Sequence, residues 1–159
     1  MLVKLSLPEW SAALDAAWLR IATSTAQQLN AATTYERSMV DRVREELIGV
    51  AGELAVAKYR GQFFIPGINT FHCKSDCGSD IEVRSTSHPD GHLIVRDNDS
   101  PGRRYVLAVV DGKGIRLAGW MTGESARRPE WRRASKRSDR PAWWVPQGEL
   151  KDVKEMDLA

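Results

Sequence analysis

The stretch KSDCGSDIEVRST, from Lys74 to Thr86, decides how this chain is read. Two strand-like runs flank Cys77-Gly78-Ser79, a short glycine-bearing loop suited to a hairpin. Side chains alternate along a strand, so Ile81, Val83 and Ser85 face a core while Asp80, Glu82, Arg84 and Thr86 share the opposite face. Pairing Asp76 with Asp80 sets Lys74 opposite Glu82. Carboxylates crowded on one face are costly unless a cation or ligand joins them. Acids on both runs, with a cation two residues after the last, form a layout for holding a divalent metal.

The run upstream supplies another carboxylate. Val40, Val43, Leu47, Val50, Leu54 and Ala57 recur at helical spacing, which predicts a helix from about Tyr35 to Arg60 with Gly61 just past its end. Glu53 sits at the edge of that apolar stripe and is a candidate third acid. Gly49 and Gly52 each weaken the helix by about 1 kcal/mol relative to Ala, a feature of helices that another backbone approaches closely. Ahead of it, Ser6-Leu7-Pro8-Glu9 is a helix start. Leu14, Trp18, Ile21, Thr25 and Leu29 then mark the expected buried stripe of a packing helix.

Downstream of the hairpin the pattern turns to strands. His92 to Arg96 reads as one; Arg104 to Val110 and Ile115 to Met121 read as a second hairpin around Asp111-Gly112-Lys113-Gly114. Arg127 to Arg140 carries seven Lys or Arg against two acids, with Trp131 among them. Read as a binding surface, Arg127, Arg128, Arg132, Arg133, Lys136 and Arg137 contact nucleic-acid phosphates and the aromatic offers stacking. The bland alternative is a solvated loop. Ala142 to Pro146 reads as a short edge strand, Gly148 to Val153 as a helical turn, and the tail as frayed.

The whole predicts one α/β (α+β) domain over 1–159: a packing helix in 1–34, a core in 35–122, and a basic loop with a C-terminal segment in 123–159. Its centre is a mixed sheet of about five strands flanked by helices. Net charge is only +2, so charge acts locally and not through the whole-molecule field. No run approaches the roughly 18 apolar residues of a membrane span, and no leader pattern is seen. Two cysteines are too few for a disulfide framework, so a cytoplasmic setting is expected.

Mg²⁺ needs few protein ligands and keeps several waters. Asp76 and Glu82 suit it, with the Val83 carbonyl as a third ligand and Glu53 binding directly or through water. Such a metal generates hydroxide and stabilises the leaving oxygen in phosphodiester cleavage. Glu53 in GELAVAKYRG, then Asp76, then Glu82-Val83-Arg84, resembles the PD-(D/E)XK nuclease superfamily, and the wider pattern is similar to its small phage and prophage members. The resemblance runs from about Glu45 to Trp120. It implies a restriction-endonuclease-like fold and a DNA endonuclease using Mg²⁺ or Mn²⁺. Glu53, Asp76, Glu82 and Arg84 would be catalytic, and Glu53, Asp76, Glu82 and Val83 would be at the metal. It also implies DNA as partner and no membrane, and it admits a homodimer.

The chain departs from that pattern where the family Lys is Arg84, which stays charged and cannot act as a general base. Lys74 or Lys58 could stand in. Ser75, not Pro, precedes Asp76, and Asp80 rivals Asp76 as ligand. A catalytically inactive nuclease-fold protein that binds DNA or a protein partner is therefore the alternative. A separate metal reading is zinc, since Cys73-x3-Cys77-x10-His88-x3-His92 comes close to two-Cys, two-His spacing.

Overall fold

The computed structural model describes residues 1–26, 38–64, 80–135 and 138–158. Asp76, Lys74, Cys73, Cys77, Lys136 and Arg137 lie outside these residues, as does the first run of the expected hairpin.

The first helix, α1 (Leu7–Ala26), begins as its sequence dictates. Ser6 N–H donates to Glu9 Oε2 at 2.6 Å, and Glu9 N–H returns to Ser6 Oγ at 3.4 Å, a reciprocal capping box. Its buried face is the expected one at Ile21 but not at Leu14 or Trp18. Ala13, Ala16, Ala17 and Ile21 are buried, whereas Leu14 is 46% exposed and Trp18 57% exposed. The small alanines let α1 lie close against Val50 of the second helix, α2 (Met39–Tyr59), which larger residues would prevent. The helix end also follows the sequence. Gly61 adopts φ +64°, its N–H donates to Lys58 O at 3.1 Å, and Gln62 N–H donates to Ala57 O at 2.9 Å. Those two bonds close a Schellman cap. The expected stripe of α2 is buried only toward its C-terminal half: Val50, Leu54 and Ala57 are buried, and Val40 is exposed.

The strands make two sheets rather than one. In the first, β1 (Leu2–Val3), β5 (Gly114–Thr122), β4 (Arg104–Asp111) and β2 (Ile81–Thr86) lie in that order. β2 runs parallel to β4, and the other pairs are antiparallel. In the second, β3 (Leu93–Arg96), β7 (Ser138–Val145) and β6 (Arg132–Ser135) are antiparallel. The molecule is thus mixed α+β, layered as helices, first sheet, second sheet among the described residues.

Alternation builds the layers. Ile81, Val83, Val106, Ala108, Ile115 and Leu117 pack against Ala51, Ala55 and Val56 of α2. Tyr105, Leu107 and Val109 turn the other way, onto Leu93, Val95, Trp143 and Val145. The face of β2 opposite the helices is therefore not open to solvent along its length, because the second sheet covers part of it.

The C-terminal third differs most from its sequence reading. The Ala142–Pro146 run belongs to β7, the central strand of its sheet and not an edge. Much of the basic segment is ordered as the single turn Pro129–Trp131 and as β6. The tail docks: Val153 and Met156 join the helix-side core, and Trp120 Nε1–H donates to Asp152 O at 3.1 Å.

Candidate nucleic-acid interface and the residues around β2

Glu53 is 8% exposed and belongs to the helical layer. Arg20 of α1 grips it with two bonds, Nη1 to Oε1 at 2.8 Å and Nη2 to Oε2 at 2.6 Å. Arg20 lies on the same stripe as Ala13 and Ala17, so the alanine packing that closes the helices also delivers this guanidinium. A bidentate, charge-assisted pair of this kind is how a buried carboxylate is tolerated.

Glu82 and Arg84 project from the other side of the sheet. Their β4 neighbours are Tyr105 and Leu107, both in the core between the two sheets. Arg103 donates to Glu82 Oε1. Arg84 donates from Nη2 to Asp99 Oδ1 at 2.9 Å and from Nε to Ile94 O at 3.4 Å, and its guanidinium lies 5.3 Å from the Tyr105 ring centroid. Tyr105 in turn donates to Ser100 O at 3.1 Å, and burial, then the Asp99 charge, raises its pKa. Val83 points into the helix-side core.

The structure therefore brings Glu82 and Arg84 to one face and carries Glu53 on the other. The reason is the roll of α2, which turns Glu53 to α1. Asp80 does not share the Glu82 face either: Arg104 takes its carboxylate at 2.8 Å, on the side where Arg104 also reaches Met156 O. Lys58, expected as one stand-in for the lysine that the resemblance implies, donates to Glu9 at 2.8 Å and to Lys4 O at 3.0 Å. Among the described residues no group of three His, Cys, Asp or Glu side chains comes together to hold a metal. Of the carboxylates implied by the sequence, Glu82 is the one that the described residues place on the β2 face opposite the helices, and the set depends on Asp76 for its second. His88 and His92 flank one cavity, whereas the two cysteines of the zinc reading are outside the described residues.

The basic segment divides by role. Arg127 is half-buried and structural, its Nη2 donating to Asp99 O at 2.6 Å while it lies 5.3 Å from the Trp143 ring centroid. Arg128, Arg132 and Arg133 are exposed. Each lies over an indole: Arg128 at 4.7 Å from Trp131, Arg132 at 4.4 Å from Trp143, and Arg133 at 5.3 Å from Trp144. Arg132 also pairs with Asp97 at 2.9 Å. Strand pairing sets these contacts on both faces of β6: Arg132 lies opposite Trp143 on the side of the inter-sheet core, and Arg133 lies opposite Ala142 on the other side, which Trp144 shares.

A cavity of about 620 Å³ lies along the edge of β3 that faces β2. Arg84 and Leu107 line it from the first sheet, and Ile94, Arg96 and Trp144 from the second. His92 stands edge-on to Trp144 at 6.4 Å, with its pKa lowered by burial and then by the charge of Arg133. Sequence reasoning did not single out Arg96, Trp144, Arg103 or Arg20. For Arg96 a signal was present, since alternation in HLIVR puts His92, Ile94 and Arg96 on one face, whereas Trp144 joins them through its pairing with Ile94.

Comparison of the chain with protein-family models, with curated proteins and with solved structures gave no match. None of the described helices is long and apolar enough to cross a membrane.

Proposed function

We propose that the protein binds DNA, with Arg128, Arg132 and Arg133 set against the phosphate backbone. The observation that carries this is the array of three exposed guanidiniums, each braced on a tryptophan. Bracing lowers the entropy lost on forming a salt bridge to phosphate, and Trp144, the partly exposed one of the three indoles, offers a surface to a base. With a net charge of only +2, affinity rests on this local array. Binding should weaken linearly in log salt, and Arg133→Ala should reduce the slope by about one unit. Fluorescence anisotropy across a salt series reads this; affinity that ignores both salt and Arg133 sinks the proposal.

The second reading is hydrolysis, a restriction-endonuclease-like Mg²⁺-dependent deoxyribonuclease. Its support is that Glu82 and Arg84 share the β2 face beside which the cavity lies. Arg84 is suited to stabilise developing negative charge, not to take a proton. The reading requires Asp76 to join Glu82, with the Val83 carbonyl, at a cation that supplies the nucleophile and steadies the leaving oxygen. Cleavage of DNA with Mg²⁺ or Mn²⁺, lost in Glu82→Ala while binding persists, supports it. No cleavage of single-stranded, duplex or branched DNA with either metal leaves the protein as a binder.

A further inference from the structure

The cavity along β3 has a charge problem that a ligand would solve. Arg84 and Arg96 both line it, with Asp90 as the opposing lining acid. Asp99 holds the Arg84 side chain, but only the backbone N–H of Arg96, at 2.8 Å. The Arg96 guanidinium has no hydrogen-bond acceptor or ion-pair partner among the described residues, although the carboxylate of Asp99 is near. Its pKa is lowered by burial, then by the charge of Arg84, with Arg140 adding to the effect. Arginines that repel one another at a concave surface make an anion site. Ile94, Leu107 and Trp144 give the lining an apolar and aromatic part beside the polar Ser85, Thr86, His88 and His92, and the cavity is of a size that takes a small organic molecule.

We propose that this cavity receives a phosphate monoester carried on a nucleotide, with Arg96 taking the phosphate and Trp144 the base. A monoester is favoured over the internal diester of a strand on charge alone. It carries about −1.5 to −2 at neutral pH, against a single charge for the diester, so it offsets more of the repulsion among the arginines. Arg96 presents a planar fork of donors that suits phosphate oxygens. The base then has aromatic surface to stack on. The same chemistry is offered by a phosphorylated DNA end and by a free nucleoside monophosphate. The inference rests on the DNA-binding reading for the first source and stands apart from it for the second.

The test compares internally labelled single-stranded oligonucleotides of one sequence with a 5′-phosphate, a 3′-phosphate or neither, and uses thymidine monophosphate and thymidine as competitors. One phosphorylated end should bind about ten-fold tighter than the hydroxyl end. Arg96→Gln should bring that ratio to about one, because it keeps a polar, uncharged group and removes both the charge and the guanidinium fork. A thermal melt checks that the variant folds. Thymidine monophosphate should compete where thymidine does not. Equal affinity for all three ends, with no competition by the monophosphate, overturns the cavity and leaves DNA binding standing. Direct binding of thymidine monophosphate but not of thymidine, read by calorimetry, with no affinity for any oligonucleotide keeps the cavity and sinks the DNA reading. A preference that survives Arg96→Gln unchanged places the phosphate elsewhere and overturns the assignment.

Discussion

The two faces of β2 are made from alternate residues of one strand, and they are held by different physics. Ile81, Val83 and Ser85 meet the helices through close apolar contact. Glu82 and Arg84 meet their surroundings through ion pairs with Arg103 and Asp99 that remain partly open to solvent. Contact of the first kind fails if the geometry shifts. Pairs of the second kind can exchange partners, because each guanidinium or carboxylate can take an incoming phosphate or cation in place of the present one. The helix-side face is thus the scaffold, and the opposite face is the one on which the hydrolytic reading draws. Glu53 lies with the scaffold, although its sequence position suggested the site.

The largest expected effect breaks this comparison at Glu53. Removing one partner of a pair with side chains 15% and 11% exposed takes from the other, poorly solvated charge the group that grips it with two bonds. Glu53→Ala should destabilise by about 3 kcal/mol in chemical denaturation, and the paired change Arg20→Met with Glu53→Leu should recover most of that. Were Glu53 held in reserve for catalysis, Glu53→Ala would leave stability unchanged or raised. That outcome would return the residue to the site.

A smaller effect separates two glycines that read alike in sequence. A Cβ on Gly52 would collide with Ser85 Oγ and lie 3.0 Å from Ala108 Cβ, whereas a Cβ on Gly49 meets nothing within 4 Å. Gly49→Ala should stabilise the protein by up to about 1 kcal/mol through helix propensity alone. Gly52→Ala should instead destabilise by about 1–2 kcal/mol, since overpacking outweighs that gain. Matching shifts in the two variants would mean that α2 does not approach β2 as closely as the contacts imply.

What could be read beforehand follows the range of the forces involved. Local signals held: the Ser6–Glu9 box, the Gly61 cap, the alternation of Ile81 to Thr86, and the hairpin around Gly112-Lys113. Signals that depend on which surface meets which did not. Leu14 and Trp18 were expected inside because they recur at helical spacing with Ile21, but the close helix pair selects the alanines. The Ala142–Pro146 run looked like an edge because its partners, β3 and β6, lie far away in sequence or inside the basic segment. For the candidate site, the pairing of Glu82 with Arg84 was legible from strand period. Arg20 and Arg103 were not, because an ion-pair partner some twenty or thirty residues away leaves no periodic trace.

The smallest effect tests the helical layer through pH. Glu9 accepts from Lys58, from Ser6 N–H and from the Ser6 hydroxyl, and these bonds lower its pKa from 4.5 to about 2, the Lys58 bond contributing most. A carboxylate whose folded pKa is depressed adds stability that is present above its unfolded pKa and lost as pH falls through the folded one. Wild-type stability should therefore decline between about pH 4.5 and pH 2 in part because Glu9 protonates. Glu9→Gln should be less stable than wild type at neutral pH, with the gap closing across that window. Because the pair is solvent-accessible, the gap should be modest and should shrink further in high salt. Lys58→Met should move the Glu9 contribution up toward the ordinary carboxylate range without abolishing it, since Ser6 still donates. A gap between Glu9→Gln and wild type that stays constant from neutral pH to pH 2 would mean that the side chain acts through shape and not charge. The α1 start would then be held by capping alone, without the ionic link from α1 to α2.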